Sequence, residues 1–86
     1  MNWKEGLAHK MELPEDLVLG AVIVTMIGSR EAYVENYVSL LEYTPDEIIL
    51  RCRNCRVEIK GESLVIAYFT AVEMKISGTI KGVSYC

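Results

Sequence analysis

From Gly28 to Tyr85 the chain is a series of short apolar segments broken by Gly, Asn and Pro. The clearest pattern starts at Ile48. Residues 48–52 form one apolar segment, and Arg53-Asn54-Cys55 reads as a turn. Arg56-Val57-Glu58-Ile59-Lys60 alternates with period two, which points Val57 and Ile59 inward. Gly61-Glu62-Ser63 turns the chain again. Residues 64–69 are apolar on both parities, the pattern of a central or face-covered strand. Val72-Glu73-Met74-Lys75-Ile76 alternates, with Val72, Met74 and Ile76 inward. Ile80, Val83 and Tyr85 complete the apolar set among Gly78 and Gly82. Val57-x-Ile59-x-Gly61 and Met74-x-Ile76-x-Gly78 share one design, an alternating strand that ends in Gly. Turn signals recur about every 8–12 residues, as in all-β meanders, sandwiches and rolls.

The first half is less uniform. Trp3, Leu7 and Met11 recur at helical spacing and predict a short N-terminal helical segment within a 1–13 extension. Pro14 lies in an acidic linker of Glu12, Glu15 and Asp16. Residues 21–27 are β-branched and apolar on both parities, which predicts a strand buried on both faces or partly covered by the N-terminal segment. Gly28-Ser29-Arg30 closes it. Residues 31–43 fit two templates. Tyr33, Val34, Tyr37, Val38, Leu40 and Leu41 match an amphipathic helix, with Ser29 as its N-cap. Residue type favours two strands broken at Asn36, a residue that tolerates left-handed angles. Thr44-Pro45-Asp46-Glu47 is a turn. The expected fold is all-β, a small and mainly antiparallel sheet stack or roll with the N-terminal helical segment. The alternative is α+β with a helix at 30–43.

Composition narrows the class. Eighty-six residues make a single domain, 1–86, and 51% hydrophobic content marks it as globular. A net charge of −3 argues against nucleic acid, whose binding needs a basic face. The longest mostly apolar run, residues 17–27, is shorter than the roughly 20 residues that span a bilayer. It has no basic lead and no small-residue cleavage site, so the expected location is cytoplasmic. Three cysteines, an odd number without a framework spacing, also suit a reducing compartment.

Candidate chemistry is sparse. Cys52-Arg53-Asn54-Cys55 matches a reactive motif in text. Redox sites of this kind put the pair at a helix N-terminus, whereas here it flanks a hairpin turn. The neighbouring arginines should lower the thiol pKa. Zinc needs two more ligands, and Cys86 and His9 remain, at opposite ends of the chain. His9 has no partner in sequence and reads as a solvated side chain. No serine sits in a Gly-x-Ser-x-Gly elbow. Asp46 and Glu47 read as solvated turn charges. The tyrosines at 33, 37, 43, 68 and 85 suit cross-strand positions or an exposed patch for a partner. Arg51, Arg53, Arg56 and Lys60 form a basic cluster around a turn and are the candidate contact for an acidic partner.

One ordered set of segments is more telling. It runs through Leu13-Pro14-Glu15-Asp16-Leu17-Val18-Leu19-Gly20, Ile27-Gly28-Ser29-Arg30, Glu35-Asn36-Tyr37 and Leu41-Glu42-Tyr43-Thr44-Pro45-Asp46-Glu47-Ile48. It closes with the block from Val57 to Ile66 and with Met74-Lys75-Ile76-Ser77-Gly78-Thr79-Ile80. In this order, over nearly the whole chain, the sequence resembles the YabP/YqfC family of small sporulation proteins, its YqfC branch above all. The resemblance implies a β-rich fold and a role in endospore formation in Firmicutes. It implies action in the mother cell, peripheral at the forespore membrane, and a partner of the membrane-anchored YqfD type. It brings no catalytic residues and no cofactor. Family members often carry Gly at the place of Asn36, which tips residues 31–43 towards strands. They tend to carry Gly at the place of Cys55, so a family-wide Cys-x-x-C site is not implied. The expected function is a non-enzymatic interaction and assembly module, with homo-oligomerisation as a further expectation. The alternative is a metal-binding or redox module built on Cys52 and Cys55.

Overall fold

The computed structural model describes residues 20–86. The helical stripe of Trp3, Leu7 and Met11 and the ligand candidate His9 lie outside the described residues. Within them the chain forms six strands and no helix: β1 (Ile23–Ile27), β2 (Glu31–Glu35), β3 (Ser39–Tyr43), β4 (Glu47–Arg51), β5 (Arg56–Phe69) and β6 (Glu73–Tyr85). They make one antiparallel sheet in the order β1-β2-β6-β5-β4-β3. The all-β expectation therefore holds.

The helix alternative at 30–43 is overturned. β2 and β3 occupy that stretch, separated at Asn36, which takes a φ of 68°. Helical spacing arises there because buried Val34 and buried Tyr37 fall on either side of the break, with exposed Val38, Leu40 and Leu41 following. Asn36 holds the turn at both ends. Its backbone N–H donates to the Val72 carbonyl at 2.6 Å and its side-chain amide to the Ala21 carbonyl at 2.9 Å.

β5 and β6 are longer than their sequence punctuation suggests. The Gly61-Glu62-Ser63 signal predicts a strand end, yet β5 runs through it, with register shifts on both sides and Ser63 at a φ of 55°. A straight strand of this length would span roughly 45 Å. Its two ends nevertheless come together. Arg56 pairs with Arg51, whose carbonyl accepts from the Val38 amide at 2.7 Å. At the far end Asn36 bonds Val72, and the Tyr37 hydroxyl donates to the Thr70 carbonyl. Residues 36–38 span at most about 8 Å. The β5–β6 hairpin is therefore bent back on itself.

The bend falls where Gly61 and Gly78 end the two alternating repeats. A Cβ at Gly61 would lie 2.0 Å from the Thr79 carbonyl oxygen, and one at Gly78 would lie 2.6 Å from that of Ser63. Gly78 also takes a φ of 135°, which side-chain-bearing residues avoid. The core lines the concave side of the bent sheet. Val34, Ile48, Leu50, Val57, Ile59 and Ile76 are fully buried there. Each such side chain contributes about 1.5–3 kcal/mol by leaving water.

Three burial expectations are corrected. β1 is an edge strand, not one buried on both faces: Ile23, Met26 and Ile27 are exposed and only Val24 packs against the core. In 64–69, Leu64 is buried but Val65, Tyr68 and Phe69 are exposed; there β5 pairs with β6 alone, because β4 reaches only to Lys60. Val72 is exposed because it sits in the hairpin tip and not in β6. That tip, Thr70–Glu73, uses the same device as the turn at Thr44: each threonine hydroxyl accepts from the amides two and three residues on.

Gly61→Ala and Gly78→Ala should each destabilise the fold by about 2–4 kcal/mol. Gly82→Ala, where an added Cβ meets nothing within 4 Å, should stay within about 0.5 kcal/mol. Urea midpoints read the difference. Equal midpoints for all three variants would remove the steric account of the bend.

Candidate interaction surfaces

The basic cluster divides when placed on the fold. Arg51 and Arg56 face each other across the β4–β5 pair, and Arg53 lies in the connecting turn. Arg53 is engaged: its guanidinium covers Gly20, where a Cβ would fall 2.7 Å from one of its nitrogens. Arg51 donates from Nε to the Ser39 hydroxyl at 3.3 Å. Lys60 stands at the other end of the β4–β5 pair, opposite Glu47, with Nζ 3.9 Å from its carboxylate. Glu58 lies between Arg56 and Lys60 on the same face. The four cations therefore share their surface with two carboxylates. Glu47 itself is held above the usual carboxylate range, chiefly by a hydrogen bond with Glu42.

The cysteines do not form a reactive pair of the redox kind. The Cys52 amide donates to the Cys55 carbonyl at 2.8 Å, so the motif closes a tight turn. No helix N-terminus faces it among the described residues. Cys52 belongs to the core, and burial pushes its thiol up to about 11, with the nearby Cys55 adding to the shift. The expectation that neighbouring arginines lower this thiol is corrected, since desolvation dominates. Cys86 is exposed and its thiol donates to Glu58 at 3.2 Å, which raises its pKa. Among the described residues no three His, Cys, Asp or Glu side chains gather as a metal site requires.

Apart from Val65, Tyr68 and Tyr85, large apolar side chains remain in water in two places. The first joins the β5–β6 tip to β3. Residues 36–38 tie the two together, so Phe69, Val72 and Val38 lie at one end of the molecule. Phe69 is 67% exposed and Val72 58%. Leu40, Leu41 and Tyr43 continue the surface along β3, and the Tyr43 hydroxyl accepts from the Ile66 amide at 3.0 Å. The second place is β1, at the opposite edge of the sheet. Between them the outer face carries polar ladders. Lys75 pairs with Glu31 at 3.1 Å and lies over the Tyr33 ring at 5.7 Å, and the Tyr68 hydroxyl donates to Glu73.

Alternation located the core but not these surfaces. The signal available for them was residue type: Phe69 and Val72 flank Thr70-Ala71, a turn whose chemistry went unread because it contains neither Gly nor Pro. Among the described residues no helix is long and apolar enough to cross a membrane.

A six-stranded antiparallel sheet, bent at paired glycines and bearing apolar edges, defines a small all-β domain. The YabP family model matches residues 20–86, and the chain belongs to that family. It is 30% identical over 82 residues to a Bacillus subtilis (strain 168) protein described as "Uncharacterized protein YqfC", covering 95% of this chain and 88% of that one.

Native alkylation separates the thiols. With iodoacetamide at pH 8, exposed Cys86 should react in the folded protein, slowed by its bond to Glu58, and Cys52 only after unfolding, as read by peptide mass spectrometry. Labelling of Cys52 at the rate of Cys86 would refute its burial. Because its folded pKa is raised, the stability Cys52 contributes is present below the unfolded thiol value. It should fall as pH rises from about 8.5 towards about 11, and Cys52→Ala should flatten that fall.

Proposed function

We propose that this chain is a non-enzymatic assembly module of endospore formation that docks a protein partner on the surface joining the β5–β6 tip to β3. One observation carries the docking surface. Phe69 is two-thirds exposed on the hairpin tip with exposed Val72, and the Asn36 and Tyr37 hydrogen bonds tie that tip to the segment that leads into exposed Val38. Rigid aromatic and aliphatic anchors of this kind carry most of the binding energy at interfaces. Arg51 and Arg56, beyond Val38, supply a polar rim for an acidic contact. Family membership and the likeness to a protein of a spore-forming Bacillus support the sporulation role.

The partner of choice is a membrane-anchored sporulation protein of the YqfD type. The chain would then work in the mother cell, at the cytoplasmic side of the forespore membrane. No cofactor is required. Cys52 and Cys55 serve the turn and the core.

Heat-resistant spore counts test the reading in a deletion strain. Wild type and Cys52→Ala/Cys55→Ser should restore the count. Phe69→Asp/Val72→Asp should not, and should weaken capture of the co-expressed partner by about thirtyfold. Fold stability should hardly change, because both side chains are exposed. Arg56→Glu should weaken capture less and mainly slow association. Full rescue by the Phe69/Val72 variant would sink the docking surface. A deletion without a spore defect would sink the sporulation role.

A further inference from the structure

The two edges of the sheet are built differently. β3 carries Glu42 and a register shift between Leu40 and Glu42, two devices that discourage another chain from pairing. β1 is Ile-Val-Thr-Met-Ile. It has no charge, no proline and no register shift along its five pairs with β2. Among the described strands it meets only β2. Among the described residues no strand pairs with its other side, a row of backbone donors and acceptors beside exposed Ile23, Met26 and Ile27.

We propose that β1 is a self-pairing edge, which joins two copies of this chain through an antiparallel β1–β1 ladder about a twofold axis at Thr25. The register follows from symmetry. With Thr25 on the axis, Ile23 faces Ile27 of the second copy and Val24 faces Met26 of the second copy. Residues so matched have the same parity. Outward-pointing amides and carbonyls of one copy therefore meet those of the other, whichever parity β2 already uses. Each matched pair is apolar, and Thr25 meets its own image, as an isologous interface requires.

Charge permits this occupant. The nearest charges on the outer face are Glu31 and Glu35 of β2, opposite Ile27 and Ile23. In the paired state Glu35 of one copy and Glu31 of the other stand three strand spacings apart, about 14 Å. That exceeds the screening length of about 8 Å at physiological salt. Glu31 is moreover neutralised by Lys75 at 3.1 Å. The two β1 strands themselves bring no charge to the contact. The product is a continuous twelve-stranded sheet. A five-residue ladder is smaller than the roughly 1,200 Å² of a standard interface, so the dimer is weak, with a Kd in about the micromolar range. This edge is the other end of the strand order from β3, and the pairing does not depend on the docking surface proposed above.

Sedimentation equilibrium of the full chain, from about 1 to 200 μM, tests the pairing. Wild type should show a concentration-dependent dimer. Thr25→Lys and Thr25→Glu should each weaken it at least about tenfold, because like charges then meet on the axis. An equimolar mixture of the two variants should recover the dimer, because opposite charges then meet there. That recovery also shows that both variants are folded. A monomer at all concentrations for wild type, a dimer indifferent to either variant, or a mixture that stays monomeric would each overturn the proposal. None of these outcomes bears on the spore counts, which read the docking surface.

Discussion

The fold depends on one steric constraint, the meeting of two backbones at the bend of the β5–β6 hairpin. Gly61 lies against the Thr79 carbonyl and Gly78 against that of Ser63, at distances no Cβ allows. Only this close approach lets a fourteen-residue strand double back. Everything else hangs on the doubling. β4 and β3 extend the sheet from the first half of β5, and β2 and β1 extend it from the first half of β6. The two extensions share a core because the hairpin that carries them is folded. Tyr37 then latches the open end, where it is almost buried and its hydroxyl reaches Thr70.

The sequence was legible where one face is buried and the other wet. Val57 and Ile59 on β5 and Met74 and Ile76 on β6 alternate and prove to be core. It was less legible where apolar residues occupy both parities. For residues 21–27 and 64–69 that pattern predicts covered strands, and among the described residues the strands are edge or partly uncovered instead. An uninterrupted apolar run has the same appearance in a central strand and in an edge left available to another chain. Residues 31–43 imitate a helical stripe by coincidence of period, since the inward set of β2 and the exposed apolar set of β3 are separated by a left-handed Asn36. The glycines of the two repeats were seen as strand ends. They are bends within strands, a distinction set by the carbonyls opposite them.

The candidate site shows the same division. The Cys-x-x-C pair stood out in text, yet Cys52 is a core residue whose thiol burial holds protonated, and the motif closes a turn. The basic cluster was contiguous in sequence, yet period-two geometry places Glu58 between Arg56 and Lys60 and engages Lys60 with Glu47. The surfaces with the most apolar exposure are assembled from distant segments, Val38 with Phe69 and Val72. Tertiary structure alone puts them together.

The order of strands carries a consequence for synthesis. The central strand β6 is also the last to leave the ribosome, and β2 has no partner on its inner side until β6 arrives. While translation proceeds, the β1–β2 hairpin waits with both edges open and one of them without charge. Chain growth therefore prolongs the interval in which this segment is prone to wrong pairing. Release of the finished chain lets β6 close the β2 edge, while β1 stays, with β3, an edge of the sheet among the described residues.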